Sequence, residues 1–141
     1  MPECEFPASN ASNAEIAEIL KNAKTIAVVG LSPKPDRPSY GVTSYMQSQG
    51  YTIIPVNPGH AEILGEKSYK SLLDVPQPVD IVNIFREPSA VPEIVDQAIA
   101  KKARVIWMQE GIVHNAAAEK ARAAGLKVVM NKCIYKEHAR L

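Results

Sequence analysis

Residues 26–41 read IAVVGLSPKPDRPSYG. An apolar run, Ile26 to Val29, meets Gly30, and a stretch of prolines, serines and charges then leads to Ser39, where a helical pattern begins. A strand that ends on a glycine and turns into a helix opens a βαβ unit and aims the helix N-terminus at the space beyond the strand. Gly30 lets the backbone turn, while Ser32, Ser39 and the helix start offer hydroxyl and N–H donors to an anion. Lys34 and Arg37 add charge, whereas Pro33, Pro35 and Pro38 remove N–H donors and stiffen the loop. The absence of GxxxxGK[ST] excludes a P-loop, and only the first glycine of GxGxxG is present. Two readings stay open for this loop: an anion site, or a tight connection with solvated charges.

Outward from this stretch, short apolar runs alternate with segments of helical period. The strands are predicted at residues 25–29, 51–56, 79–85, 104–108 and 126–130, each apolar almost throughout, as in a sheet covered on both faces. Helices are predicted at 39–49, 89–102 and 115–124, with a turn or short helix at 71–75. The second of these carries a stripe of Val91, Ile94, Val95, Ala98 and Ile99. Ahead of the first strand, Ser12 to Glu15 has the form of a capping box and predicts a helix over 13–22. This alternation predicts an α/β fold in three layers: a Rossmann-like, doubly wound parallel sheet of five strands, order 3-2-1-4-5, with helices on both faces. Pro55 is awkward inside a central strand and is placed at its strand's C-terminal end. In that order the ligand crevice lies between the loops after the first and fourth strands.

A chain of 141 residues suits a single domain, 1–141, with the proline-bearing residues 1–11 expected to be loosely ordered. With 46% hydrophobic and 22% charged residues and a formal net charge of +1, it has no basic footprint for nucleic acid. No signal-peptide pattern and no apolar run of membrane-spanning length occurs, so a cytoplasmic protein without membrane contact is expected. Cys4 and Cys133 are far apart and show no CxxC spacing, which indicates neither a disulfide framework nor a metal knuckle.

The other strand ends supply further candidates. Strand two ends in Asn57-Pro58, where an NAD site would present a carboxylate to the ribose. A neutral end would tolerate a phosphorylated ribose, or Asn57 and Pro58 simply make a turn. Phe85 and Arg86 follow strand three, able to stack on a base and reach a phosphate, or else core and surface charge; Ser89 is placed to cap the next helix. Gln109, Glu110 and Gly111 follow strand four. The two side chains there either bond a ligand or cap backbone.

Five stretches taken in order carry a family resemblance: IAVVGLSPKPDRPSYGV, GYTIIPVNP, VDIVNIFREPSAVPEIVDQAI, ARVIWMQEGI and AGLKVVMNKCIYKEHARL. Together they resemble the stand-alone CoA-binding proteins, which are similar to the N-terminal CoA-binding domain of succinyl-CoA synthetase alpha subunits. The resemblance implies a coenzyme A ligand, with Gly30, Leu31, Ser32, Ser39 and Tyr40 around its phosphates. It implies Asn57 and Pro58 toward the adenosine end, Phe85 and Arg86 on the third-strand side, and Gln109, Glu110 and Gly111 on the pantetheine side. Many relatives carry a lysine directly after Asn-Pro; here Gly59 and His60 follow, leaving less charge for a ribose phosphate.

No catalytic set is read. There is no GxSxG elbow, and His60, His114 and His138 have no metal-ligand spacing and read as surface or helix-end residues. Cys133, near Lys132 and Lys136, reads as a buried inert cysteine, with a redox thiol that pairs with CoA as the alternative. The expected function is a non-catalytic CoA or acyl-CoA binding module for a small-molecule ligand. The alternatives are an NAD(P)-binding redox sensor and a CoA-binding subunit of a larger ligase or acyltransferase.

Overall fold

The computed structural model describes residues 6–141, so Cys4 lies outside the described residues. Helix α1 (Asn13–Asn22) leads into β1 (Thr25–Val29), α2 (Pro38–Ser48) and β2 (Thr52–Val56). A small antiparallel hairpin, β3 (Glu62–Ile63) with β4 (Glu66–Lys67), and a 3-10 turn at Leu72–Asp74 lead to β5 (Ile81–Ile84). A second 3-10 turn (Pro88–Ala90) precedes α3 (Val91–Lys101), followed by β6 (Val105–Met108), α4 (Asn115–Ala123), β7 (Lys127–Val129) and α5 (Ile134–Ala139).

The main sheet is parallel throughout, in the order β2-β1-β5-β6-β7. The α/β doubly wound class therefore holds, and the strand order 3-2-1-4-5 does not. Counted in chain order, the five strands run 2-1-3-4-5, because β5 pairs with β1 (Ile26 beside Ile81, Val29 beside Ile84) on the side away from β2. That places β2 at an edge, and the edge explains Pro55. Its missing N–H faces outward, where no main-sheet strand seeks a donor, and its carbonyl accepts the Tyr69 amide at 3.0 Å.

Strand side chains alternate between two apolar layers. Ala27, Val29, Ile54, Val82, Ile84 and Ile106 pack under α3 and α4. Ile26, Val28, Ile53, Ile81, Val105 and Trp107 pack under α1, α2 and α5. Both faces are covered, so the strands read as continuous apolar runs. Trp107 is fully buried and donates its indole N–H to the Lys132 carbonyl at 2.8 Å.

Ser12 caps α1 as expected, its Oγ accepting the Glu15 amide at 3.1 Å. Of the stretch expected to be loosely ordered, residues 8–10 are tied down, with Ala8 N donating to Asn115 Oδ1 and Asn10 exchanging hydrogen bonds with the Met130 backbone. Ser89 lies inside the second 3-10 turn and does not cap α3, whose N-cap residue is Ala90.

Candidate functional site

With strands one and three adjacent, the sheet order reverses between β1 and β5. The crevice expected between the loops after the first and fourth strands is therefore centred on the loops after β1 and β5, because ligands settle where the order reverses. Gly30 marks the point of closest approach. Its φ is +89°, and a Cβ there would stand 2.5 Å from the Phe85 carbonyl oxygen. Only a glycine lets the loop after β1 pass so near the end of β5.

Beyond Gly30 the loop is organised by its two serines. Ser32 N donates to Ser39 Oγ at 3.0 Å, and Lys34 N donates to Ser32 Oγ at 3.1 Å. Each hydroxyl accepts from the backbone, which leaves its own hydrogen for another acceptor. At the α2 N-terminus Pro38 has no N–H and Tyr40 N returns to the Arg37 carbonyl at 3.0 Å, which leaves the Ser39 amide as that turn's open donor. Lys34 and Arg37 are exposed and, among the described residues, in no ion pair. The chemistry of this corner is that of an anion site: two hydroxyls, one amide, two cations and the positive end of a helix.

Asn57 holds the loop rather than projecting from it. Its Nδ2 donates to the Leu31 carbonyl at 2.9 Å and its Oδ1 accepts the Gly59 amide at 2.8 Å. The turn read at Asn57-Pro58 forms, and Asn57 also ties the loop after β2 to the loop after β1.

Three hollows adjoin along this edge of the sheet. One, of about 490 Å³, is lined by Ser32, Lys34, Arg37, Ser39 and His60. A second, of about 580 Å³, shares Gly30 and Asn57 with the first and adds Pro58, Lys70 and Arg86. A third, of about 700 Å³, shares Phe85 with the first and Arg86 with the second, and runs past Val42, Gln109, Gly111, Ile112 and Cys133. Together they make an elongated groove that is polar and cationic at one end and more apolar at the other.

Most of the residues singled out by sequence meet in this groove. Leu31 does not: its side chain is fully buried and only its carbonyl takes part, through Asn57. Tyr40 lines none of the three hollows. Gln109 is 4% exposed, and its Oε1 accepts the Ile134 amide at 3.1 Å, so it caps the start of α5. Glu110 is exposed and paired with Lys136 at 3.0 Å, an arrangement that raises the lysine pKa through the hydrogen bond and the charge it meets. Arg86 is paired with Glu87 at 2.9 Å, which lowers the Glu87 pKa, chiefly through the hydrogen bond.

Cys133 is a free thiol, 6% exposed, in the wall of the third hollow. His114 is a helix-end residue, its Nδ1 accepting the Ala117 amide at α4. No group of three or more metal-ligating side chains occurs among the described residues, nor any helix long and apolar enough to cross a membrane. Lys70 and Ser71 were missed by sequence reading, because only the path of the chain along β2 carries them to the groove.

Comparison with known proteins agrees with this architecture. A Bacillus subtilis (strain 168) protein named uncharacterized protein YneT is 45% identical over 130 residues, covering 92% of this chain and 96% of that protein. A solved structure, a hypothetical protein from Pyrococcus horikoshii OT3, superposes with a TM-score of 0.91 at 42% identity, covering 100% of this chain and 99% of that one. The alpha subunit of an ADP-forming acetate–CoA ligase I from Pyrococcus furiosus is 36% identical over 95 residues; the match takes in 63% of this chain and 21% of that subunit. Residues 24–139, from the start of β1 through α5, match the CoA binding domain family, and the chain belongs to it.

Proposed function

We propose that this chain is a cytoplasmic, single-domain binding module for CoA or an acyl-CoA, without chemistry of its own. The observation that carries the reading is the corner at Gly30. Ser32 and Ser39 accept from the backbone and so leave their hydroxyl hydrogens for another acceptor, Lys34 and Arg37 are in no ion pair among the described residues, and the corner opens into a groove that becomes more apolar toward Cys133. CoA has the matching order of parts: adenosine phosphates, a pyrophosphate, then a long and largely apolar pantetheine arm. The pyrophosphate lies against the two serines and the start of α2. The adenosine end lies toward Asn57 and Pro58, Phe85 and Arg86 flank the middle, and the pantetheine arm runs past Gln109, Glu110 and Gly111.

An NAD-type reading is less well supported. The strand-two end carries no carboxylate for a ribose diol, and both polar ends of Asn57 are already used within the loops. The match to about a fifth of an ADP-forming ligase subunit favours, as a second reading, a module that serves a separate ligase. Native co-purification separates the two, since a free-standing module emerges alone.

Titration calorimetry with CoA, NAD and NADP at fixed low salt tests the proposal. CoA is expected to bind most tightly. Replacing both Lys34 and Arg37 by Ala should weaken CoA binding about tenfold at low salt and by less at high salt, because these exposed cations act through screened charge. Binding of NAD or NADP in place of CoA would overturn the reading.

A further inference from the structure

The cationic half of the groove has two separate places for an anion. The first is the serine-lined corner after β1. The second is the hollow at the ends of β1 and β2, and its positive charge comes from a distant part of the chain. The loop leaving β2, Asn57-Pro58-Gly59-His60, contains no lysine or arginine. Residues 68–71 instead run along the outer edge of β2, where Tyr69 N donates to the Pro55 carbonyl at 3.0 Å and Asn57 N donates to the Tyr69 carbonyl at 2.9 Å. Ser68 Oγ adds a bond to the Asn57 carbonyl at 3.2 Å.

This ladder fixes the backbone that presents Lys70, one residue beyond the bridge, on the hollow it shares with Gly30, Asn57, Ser71 and Arg86. Among the described residues Lys70 has no ion pair, whereas Arg86 is engaged by Glu87, and Lys67 lies over the Tyr69 ring, 5.2 Å from its centroid. Glu93 lines the same hollow and sets a carboxylate near Arg86. Among the described residues, Lys70 is the cation of this hollow with no ion-pair partner.

We infer that Lys70 is the specificity-determining residue for the ribose 3′-phosphate of CoA. The inference rests on the CoA reading above. CoA carries its negative charge at two points, the pyrophosphate and the 3′-phosphate, with the ribose between them. Among the described residues, the groove's cations without an ion pair stand at two points, Lys34 with Arg37 and then Lys70, in hollows that meet at Gly30 and Asn57. With the pyrophosphate at the serines, the ribose crosses Asn57 and its 3′-phosphate reaches Lys70, where a compact, mobile ammonium suits a phosphate.

The test is calorimetric titration of CoA and 3′-dephospho-CoA into the wild type, Lys70→Ala and Lys70→Arg at one low salt concentration. The wild type is expected to prefer CoA about tenfold. Lys70→Ala should erase the preference while leaving 3′-dephospho-CoA affinity unchanged, and Lys70→Arg should retain most of it. Lys70 is exposed, so both variants should melt with the wild type, and a shared melting temperature shows that any lost preference is not lost folding. A preference that survives in Lys70→Ala, or equal binding of the two ligands by the wild type, would overturn the inference and leave the CoA reading standing. Failure of the wild type to bind either ligand would remove the CoA reading and this inference together.

Discussion

At Gly30 a single missing side chain sets how two loops meet. Its φ of +89° and the Phe85 carbonyl 2.5 Å from a would-be Cβ act together, one through the chain's own sterics and the other through a neighbouring backbone that cannot swing aside. Gly30→Ala should therefore cost at least about 1–3 kcal/mol from the backbone conformation alone, with the clash added, measured as a lowered urea midpoint. An unchanged midpoint would mean that the loop after β1 is free to move away from β5. The glycine was legible in the sequence as the end of a strand, but its neighbour was not, since that depends on which strand lies beside β1. Asn57 shows the same limit. Its identity was legible as a neutral strand end, and its commitment to Leu31 and Gly59 was visible only after folding.

Among the elements, the five strands of the main sheet were legible as short apolar runs, and the first four helices because each is long enough to show its period. The strand order was not. Pro55 held the missing information: a residue without an N–H belongs at a sheet edge, and β2 is an edge strand. Helix α5 went unread because six residues, IYKEHA, are too few to display a stripe. It is fixed by contacts from elsewhere: Ile134 is fully buried, Gln109 caps it, and Tyr45 bonds the His138 ring at 2.9 Å. Tyr51 closes the same group, with its ring edge-on to His138 and its hydroxyl donating to the Leu20 carbonyl at the end of α1. Burial first, and the neighbouring Tyr45 second, raise the Tyr51 pKa above the ordinary 10.0. A raised value in the folded state means that the stability it contributes is fully present below pH 10 and is lost as pH rises through the folded value. Stability should accordingly fall above about pH 10, and Tyr51→Phe should flatten that part of the profile. An identical alkaline loss in Tyr51→Phe would place the titrating group elsewhere.

For the molecule as a whole, the sheet order decides which loops can share a ligand. The order 2-1-3-4-5 sets the Gly30 loop against the Phe85 loop, and the groove extends from there past β2 on one side and β6 on the other. A second cavity, of about 400 Å³, lies at the opposite end of the strands among Glu18, Asn22, Asp80, Lys102, Arg104 and Lys127. Asp80 there accepts the Lys24 and Thr25 amides, which gives that acidic group a structural task at the start of β1. The two ends thus make opposing claims on an anionic ligand, and a crystal structure of the protein grown with CoA chooses between them. The pyrophosphate is expected against Ser32, Ser39 and the start of α2, with the pantetheine arm directed along Phe85 toward Cys133. Density for CoA at the Asp80 end, or a CoA whose pyrophosphate lies away from the two serines, would contradict it.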